Sequence, residues 1–277
     1  MTDPVAHPRI KDTRYTDAES FLYGGSWYEN SELANLPALL GGVKVMVDVG
    51  ASLGPYTFCA NSVLHDADIY AVEANPQTFE RLSALCSEAT QKTNNRLHPL
   101  HVAMSSEKGE IEFFIPSIQS SRLPLTSSMF QNEIITDDWE KVRVPCTTLD
   151  ELCSQRSPDF VKVDVEGAEY RVLQGARRIL SEGRCRFLVE VHPWGDPTIQ
   201  KRPEDVFKFF NDFGYSFRRV ARHWLFEKRG ESSLLRTAKV WTISLILKCA
   251  PLKEILKRFV LWLDQLKQTK KSSNKRS

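Results

Sequence analysis

Residues 43–49, VKVMVDV, lead into the turn GASLG at 50–54 and then into PYTFCANSVL, a strand–turn–helix succession that narrows the folds open to this chain. The run is dense in β-branched residues and has no helical period, so it reads as a buried parallel strand. Gly50 and Gly54 let the backbone turn sharply and approach a ligand with no Cβ in the way. Tyr56–Leu64 is expected to be helical, its free N–H groups facing whatever sits over the turn. A second strand, Asp68–Val72, ends at Glu73, 25 positions beyond Asp48, where a carboxylate can accept hydrogen bonds from a ribose diol.

The spacing of the glycines distinguishes between nucleoside ligands. A dinucleotide fold carries G-x-G-x-x-G beneath a pyrophosphate. Here Asp48 takes the first glycine's place, giving D-x-G-x-x-x-G. A carboxylate is a poor neighbour for a phosphate and a good one for the amino group and sulfonium of S-adenosylmethionine. The bland alternative is an ordinary glycine turn with a capping Asp, and Glu73 after a second strand weighs against it.

At 277 residues the chain can hold one large α/β domain with appendages. We expect a helical cap over 1–42, a main domain over 43–229, and a basic amphipathic helix with a disordered tail over 230–277. In the cap, Phe21, Tyr23, Trp27 and Tyr28 precede Leu33, Leu36, Leu39 and Leu40. Strands are expected at 43–49, 68–72 and 97–102, with helices 56–64 and 76–89 between them. Glu110–Ile115 and Glu140–Thr147 are strand-like and bracket a polar loop, Pro116–Asp138, over the carboxyl edge of the sheet. Alternation resumes with strand 159–165, helix 168–182, strand 185–191 and helix 203–213. Tyr215–Val220 and Trp224–Lys228 then read as an antiparallel pair. The expected class is a Rossmann-like seven-stranded sheet, mostly parallel, with an antiparallel terminal hairpin and helices on both faces.

The segment FVKVDVEGAEYRVLQGA (160–176) carries the densest chemistry. Side chains alternate in a strand, so Lys162, Asp164 and Glu166 share one face and Val161, Val163 and Val165 the other. Gly167 permits the turn into the next helix, and Glu169 sits near that helix's positive end. RFLVEVHPWGD (186–196) places Glu190 and His192 two residues apart. If these strands are neighbours, the five groups cluster at the sheet edge, suited to removing a hydroxyl proton or to holding a hard divalent cation. The alternative is an ion-pair network that only orders the loops.

Charge separates the body from the tail. Residues 232–277 hold 11 Lys/Arg against 2 Asp/Glu, and residues 1–231 hold 26 against 33. Leu252, Leu256, Phe259, Leu263 and Leu266 form a heptad stripe, with Lys253, Lys257, Arg258 and Lys267 outside it. Residues 252–277 suit either peripheral contact with an anionic membrane or packing on the body or a second subunit. Nucleic acid is disfavoured because the basic residues do not interleave with aromatics. The six cysteines show no C-x-x-C pair, the first residues lack an apolar h-region, and no run reaches 18 apolar residues. A cytoplasmic protein, peripheral at the inner membrane face where the tail meets lipid, is the resulting expectation.

VDVGASLGPYTF (47–58), YAVEANPQTFERL (70–82), HVAMSSEKGEIEF (101–113), VPCTTLDEL (144–152), VKVDVEGAEYRVLQGA (161–176) and FLVEVHP (187–193) together resemble the FkbM family of S-adenosylmethionine-dependent methyltransferases. The resemblance implies a seven-stranded methyltransferase fold and O-methylation of a hydroxyl on a sugar, glycolipid or polyketide-like acceptor, small or lipid-linked. It implies that Asp48, Gly50, Ala51, Ser52, Gly54 and Thr57 form the methionine-side turn. Glu73 then takes the ribose hydroxyls, with Ala74 and Asn75 in the same adenosine-side loop. Asp164 falls at the strand end where related enzymes place catalytic or metal-binding groups. Asp164, Glu166 and His192 are the candidates to accept the hydroxyl proton, and Lys162 completes the catalytic set. A Mg²⁺ ion at Asp164 is an option that no ligand spacing specifies. Ser52 stands where the family carries Asn, and Ala74 where it carries Pro.

The rival readings are a cofactor-binding but inactive scaffold whose basic tail binds a membrane or partner, and an NAD-dependent oxidoreductase, which Asp48 disfavours. The acceptor, metal dependence and oligomeric state stay open at this level.

Overall fold

The computed structural model describes residues 33–90, 92–116 and 139–228. A seven-stranded sheet forms the centre, built from β1 (Val45–Val49), β2 (Asp68–Glu73), β3 (Arg96–His101), β7 (Phe160–Val163), β8 (Arg186–Val189), β9 (Tyr215–Val220) and β10 (His223–Lys228) in the order β3-β2-β1-β7-β8-β10-β9. The first five are mutually parallel, whereas β10 runs antiparallel to both of its neighbours. The chain leaves β1 toward β2 on one side and later returns to pair β7 on the other. That reversal opens a crevice at the carboxyl ends of β1, β2 and β7, where ligands of open α/β sheets bind.

Alternation along the strands assigns the two faces. Val47, Val49, Val161, Val163 and Val189 pack under α5 (Glu169–Gln174), α6 (Arg177–Glu182) and α7 (Pro203–Asp212) in one continuous core. Met46, Phe160 and Leu188 point the other way, against α1 (Leu36–Leu39) and α2 (Pro55–Val63). Leu36 and Leu40 are buried there, so the end of the expected N-terminal cap lies on the sheet. Each large side chain buried in this way contributes about 1.5–3 kcal/mol of transfer free energy. The helix α3 (Pro76–Thr90) covers the β2 and β3 flank through Leu82 and Cys86, and Ala51 joins that cluster.

Three features depart from the sequence reading. A second, three-stranded sheet stands apart, with β4 (Ala103–Met104) parallel to β6 (Trp139–Thr147) and β6 antiparallel to β5 (Gly109–Pro116). The two strand-like segments were legible, but their pairing with the short β4 was not. The helix expected over 168–182 is two helices, broken at Gly175. A Cβ there would lie 2.2 Å from the carbonyl oxygen of Ser105, so the chain passes the neighbouring loop too closely to continue straight. Asp150, in α4 (Leu149–Leu152), then accepts hydrogen bonds from the N–H groups of Arg178 and Ile179 and so caps α6 from a distance. The strands 159–165 and 185–191 are also shorter than expected. Both ladders stop at Val163 and Val189, and the residues beyond turn into the crevice.

The cysteines at 59, 86, 146, 153 and 185 are free thiols, and burial pushes Cys86 and Cys153 up to about 12. Among the described residues no helix is long and apolar enough to cross a membrane. The aromatic part of the N-terminal cap, the loop 117–138, the leucine stripe at 252–266 and the basic tail lie outside the described residues.

Gly50 has φ +72° and leads β1 into its turn; a Cβ there would lie 1.9 Å from the carbonyl oxygen of Asp164. Gly50→Ala is therefore expected to lose about 2–4 kcal/mol of stability from clash and backbone strain together. Urea unfolding checks this, and a loss no larger than a surface substitution gives would contradict the packing.

Candidate active site

Beneath the turn lies a buried ion pair between strand neighbours. Asp48 of β1 and Lys162 of β7 are register partners, and alternation turns both toward α2. One carboxylate oxygen of Asp48 accepts a 2.7 Å hydrogen bond from the Thr57 hydroxyl. Its other oxygen takes no hydrogen bond and lies 3.3 Å from Lys162 Nζ, a purely electrostatic contact. Lys162 Nζ donates to the Gly50 carbonyl at 2.8 Å and sits 4.9 Å above the Tyr56 ring. Each charge alone would be costly to bury; together they fix the turn to β7.

An open cleft lies over this bracket. Gly50, Ser52, Glu73 and Ala74 form one wall, Asp164, Val165 and Glu166 the other, and Met104 and Phe113 close it from the second sheet. Glu73 is buried at the end of β2, and its carboxylate accepts the backbone N–H of Ser52 at 2.8 Å and of Asn75 at 2.7 Å. Burial raises its pKa, and those two hydrogen bonds partly offset the rise. A carboxylate has room for about four hydrogen bonds, so Glu73 keeps acceptor capacity toward the cleft. Gly50 N–H and Ala51 N–H both donate to the Val72 carbonyl, which holds the turn over the end of β2.

Opposite Glu73 the ends of β7 and β8 present acidic groups. Asp164 and Glu190 stand side by side, one residue beyond the Val163 and Val189 pairing. Burial opposes the charge on Asp164, but Lys162, 3.7 Å away, and His192 hold its pKa below the usual range. Burial raises Glu166, despite nearby His192, and raises Glu190, where the charge of Asp164 adds to the effect. Glu166 adopts φ +52°, a left-handed conformation rare for a glutamate, and lies 3.4 Å from His192 Nε2. His192 Nδ1 lies 2.7 Å from the Glu169 carboxylate, which also accepts the Gly167 N–H. An ionised carboxylate only accepts, so Nδ1 is the donor. Burial lowers the His192 pKa, but the Glu169 hydrogen bond and the charges of Glu169, Asp164 and Glu166 outweigh it and raise it to about 9.

Of the residues singled out in the sequence, Gly50, Ser52, Glu73, Ala74, Asp164 and Glu166 share the cleft, with His192 and Lys162 bonded or ion-paired to its edge. Asp48, Ala51, Gly54, Thr57 and Asn75 lie behind its wall. At Gly54 a Cβ would meet Phe58 at 2.5 Å and Leu82 at 2.9 Å, while Gly50 lines the cleft and also passes close to the Asp164 carbonyl. Asp48 is fully buried against Thr57 and Lys162, so it answers a lysine of its own chain. Asn75 caps α3, its side-chain oxygen accepting the N–H of Gln77 and Thr78. Sequence reasoning passed over Trp194, which is 47% exposed, lies 4.8 Å from the His192 ring, and donates from its indole N–H to the Glu166 carbonyl. A tryptophan beside a Gly in the loop after a charged strand end was the available signal.

Comparison with known proteins gives a consistent result. Residues 48–217 match the model of the methyltransferase FkbM domain. The hexuronic acid methyltransferase AglP of Haloferax volcanii is 31% identical over 157 residues, covering 55% of this chain and 58% of that protein's length. The crystal structure of methyltransferase FkbM from Methylobacillus flagellatus is 16% identical with a TM-score of 0.43, over 76% of this chain and 58% of that one. Fibrillarin from Aeropyrum pernix, solved with natively bound S-adenosyl-L-methionine, is 12% identical with a TM-score of 0.38, over 69% of this chain and 72% of that one.

Two outcomes follow from the geometry. Lys162→Ala leaves Asp48 buried without its cation and is expected to cost about 3–5 kcal/mol in urea unfolding, part of it regained when Asp48→Asn is added to Lys162→Met. In metal-free protein the His192 imidazole is expected to titrate near 9, followed by side-chain nitrogen NMR. Because that pKa is raised on folding, its stabilisation is complete below about 6.5 and fades as pH rises through about 9. Glu169→Gln removes the hydrogen-bonded charge, so the His192 pKa falls; an unchanged titration would show that Glu169 is not its partner.

Proposed function

The chain belongs to the FkbM methyltransferase family, and from that premise we propose that it moves the methyl group of S-adenosylmethionine to an oxygen of a hydroxylated sugar, an acidic sugar first among the acceptors to test. The observation that carries this reading is the cleft itself, with the buried Glu73 on one wall and the Asp164–Glu166–His192 group facing it across the sheet's switch point. The residues present fit the donor. Glu73 has acceptor capacity left for a ribose diol, and the turn that would carry the methionine portion is held by Lys162 and the Val72 carbonyl. When bound, S-adenosylmethionine supplies an electrophilic methyl group, so the chain needs no nucleophile of its own.

What the chain supplies is position and a place for one proton. The acceptor hydroxyl loses its proton as the new C–O bond forms, and a carboxylate beside the cleft takes it. Glu166 is the better matched base, because burial raises its pKa while Lys162 and His192 hold that of Asp164 down. His192, protonated up to about 9, serves as a positive neighbour in the metal-free chain. Trp194 offers an exposed apolar ring face at the mouth, suited to a sugar ring's C–H surface. The hexuronic acid named for the Haloferax relative is consistent with this mouth, although the chain spans only 58% of that protein.

The test is calorimetry of the full chain with S-adenosylmethionine and with NAD. Binding of the first and not the second is expected, and Glu73→Ala should weaken it about 10–100-fold, the cost of a charged hydrogen bond. Absence of S-adenosylmethionine binding would sink the reading, and binding without transfer to any acceptor would favour an inactive scaffold. Labelled methyl transfer into uronic-acid glycans then identifies the atom: an ether survives alkali and an ester does not.

A further inference from the structure

Asp164, Glu190 and His192 project from the ends of two adjacent parallel strands, and one ligand atom from each lies within 4.8 Å of the others. His192 is 6% exposed, and its Nδ1 is committed to Glu169. Nε2 is thereby turned toward the acidic strand ends, 3.9 Å from Asp164 and 3.4 Å from the neighbouring Glu166, and makes no hydrogen bond among the described residues. A carboxylate behind an imidazole, fixing its tautomer and orientation, is the arrangement that supports metal-ligating histidines. Three basic side chains border the two carboxylates of the set: Lys162, bonded to the Gly50 carbonyl, is 3.7 Å from Asp164, and Arg222 and His223 are each 3.8 Å from Glu190.

We propose that Asp164, Glu190 and His192 bind one divalent first-row cation at the mouth of the cleft. Donors about 2.1 Å from such an ion stand roughly 3–4 Å apart, so the observed separations need only small side-chain rotations. One imidazole with two carboxylates suits Mn²⁺ better than Ca²⁺, which prefers an all-oxygen shell. The side chains of Asp164 and Glu190 are partly exposed, which leaves open positions for water or substrate oxygens. Binding displaces any proton on Nε2 into solvent. On the methyl-transfer reading, on which this last step rests, the ion would receive neighbouring oxygens of the sugar. It would also cancel the repulsion that Asp164, Glu166 and Glu190 present to an acidic acceptor.

The experiment uses full-length, chelator-stripped protein and Mn²⁺ alone, with free ion followed by electron paramagnetic resonance. One saturable site per chain is expected, and pulsed spectra of the wild type should carry nitrogen modulation from a coordinated imidazole. Glu190→Gln and His192→Gln should each weaken binding by about tenfold or more, while Glu112→Gln, on the exposed edge of the second sheet, leaves it unchanged. Wild-type protein that shows no saturable binding, or binding without nitrogen modulation, overturns the proposal and leaves His192 as the proton-bearing counter-ion. S-adenosylmethionine calorimetry on the same stripped sample separates the two readings: Mn²⁺ bound without the donor keeps the ion site and sinks methyl transfer, and the converse does the reverse.

Discussion

The contact between Asp48 and Lys162 organises the rest of the site. It joins neighbouring strands, β1 and β7, at the point where the chain turns back on itself, and it is buried on both sides. The lysine's hydrogen bond to the Gly50 carbonyl carries this bracket up to the turn, and its ion pair with Asp164 carries it to the opposite wall. The two walls of the cleft therefore share one cation. A structure in which that cation moved would have to leave a carboxylate unpaired in the core, which is among the most expensive defects a protein can hold.

The succession of parallel strands and the location of the cleft were legible in the sequence because β-branched runs and glycine turns have few other uses. The carboxylates at 73 and 164 could be placed for the same reason: each follows the last apolar residue of a parallel strand. The roles of single residues were less legible. Sequence spacing places Asp48 near the turn but does not give its protein partner. Alternation directs it to the α2 face, where Lys162, 114 positions away, meets it. The close packing of Gly50 on Asp164 and of Gly54 on Phe58 and Leu82 is equally invisible in the spacing. Such contacts are long-range, and no local pattern encodes them. The break at Gly175 is of the same kind, forced by Ser105 from a loop outside the helical segment.

The acidic end of β7 and β8 balances charge without an abundance of cations. Glu169 sits in the first turn of its helix, where the backbone dipole favours a carboxylate, and from there it orients His192. Glu166 is held in a left-handed conformation with its carbonyl tied to the Trp194 indole. Backbone strain of this kind persists where surrounding contacts outweigh it, and here they place a carboxylate and an aromatic ring at one mouth.

The position of β10 between β8 and β9 has a consequence for how the molecule assembles. β9 is made first but has no partner in the sheet except β10, so it cannot join the sheet alone. The two must close into a hairpin and dock as a unit along β8. His223, at the start of β10, then comes within 3.8 Å of Glu190. The wall that holds Glu73 is built from residues that precede this hairpin by more than a hundred positions. During synthesis the wall that holds Glu73 can therefore take shape while the edge at Glu190 still waits for the last strand to arrive.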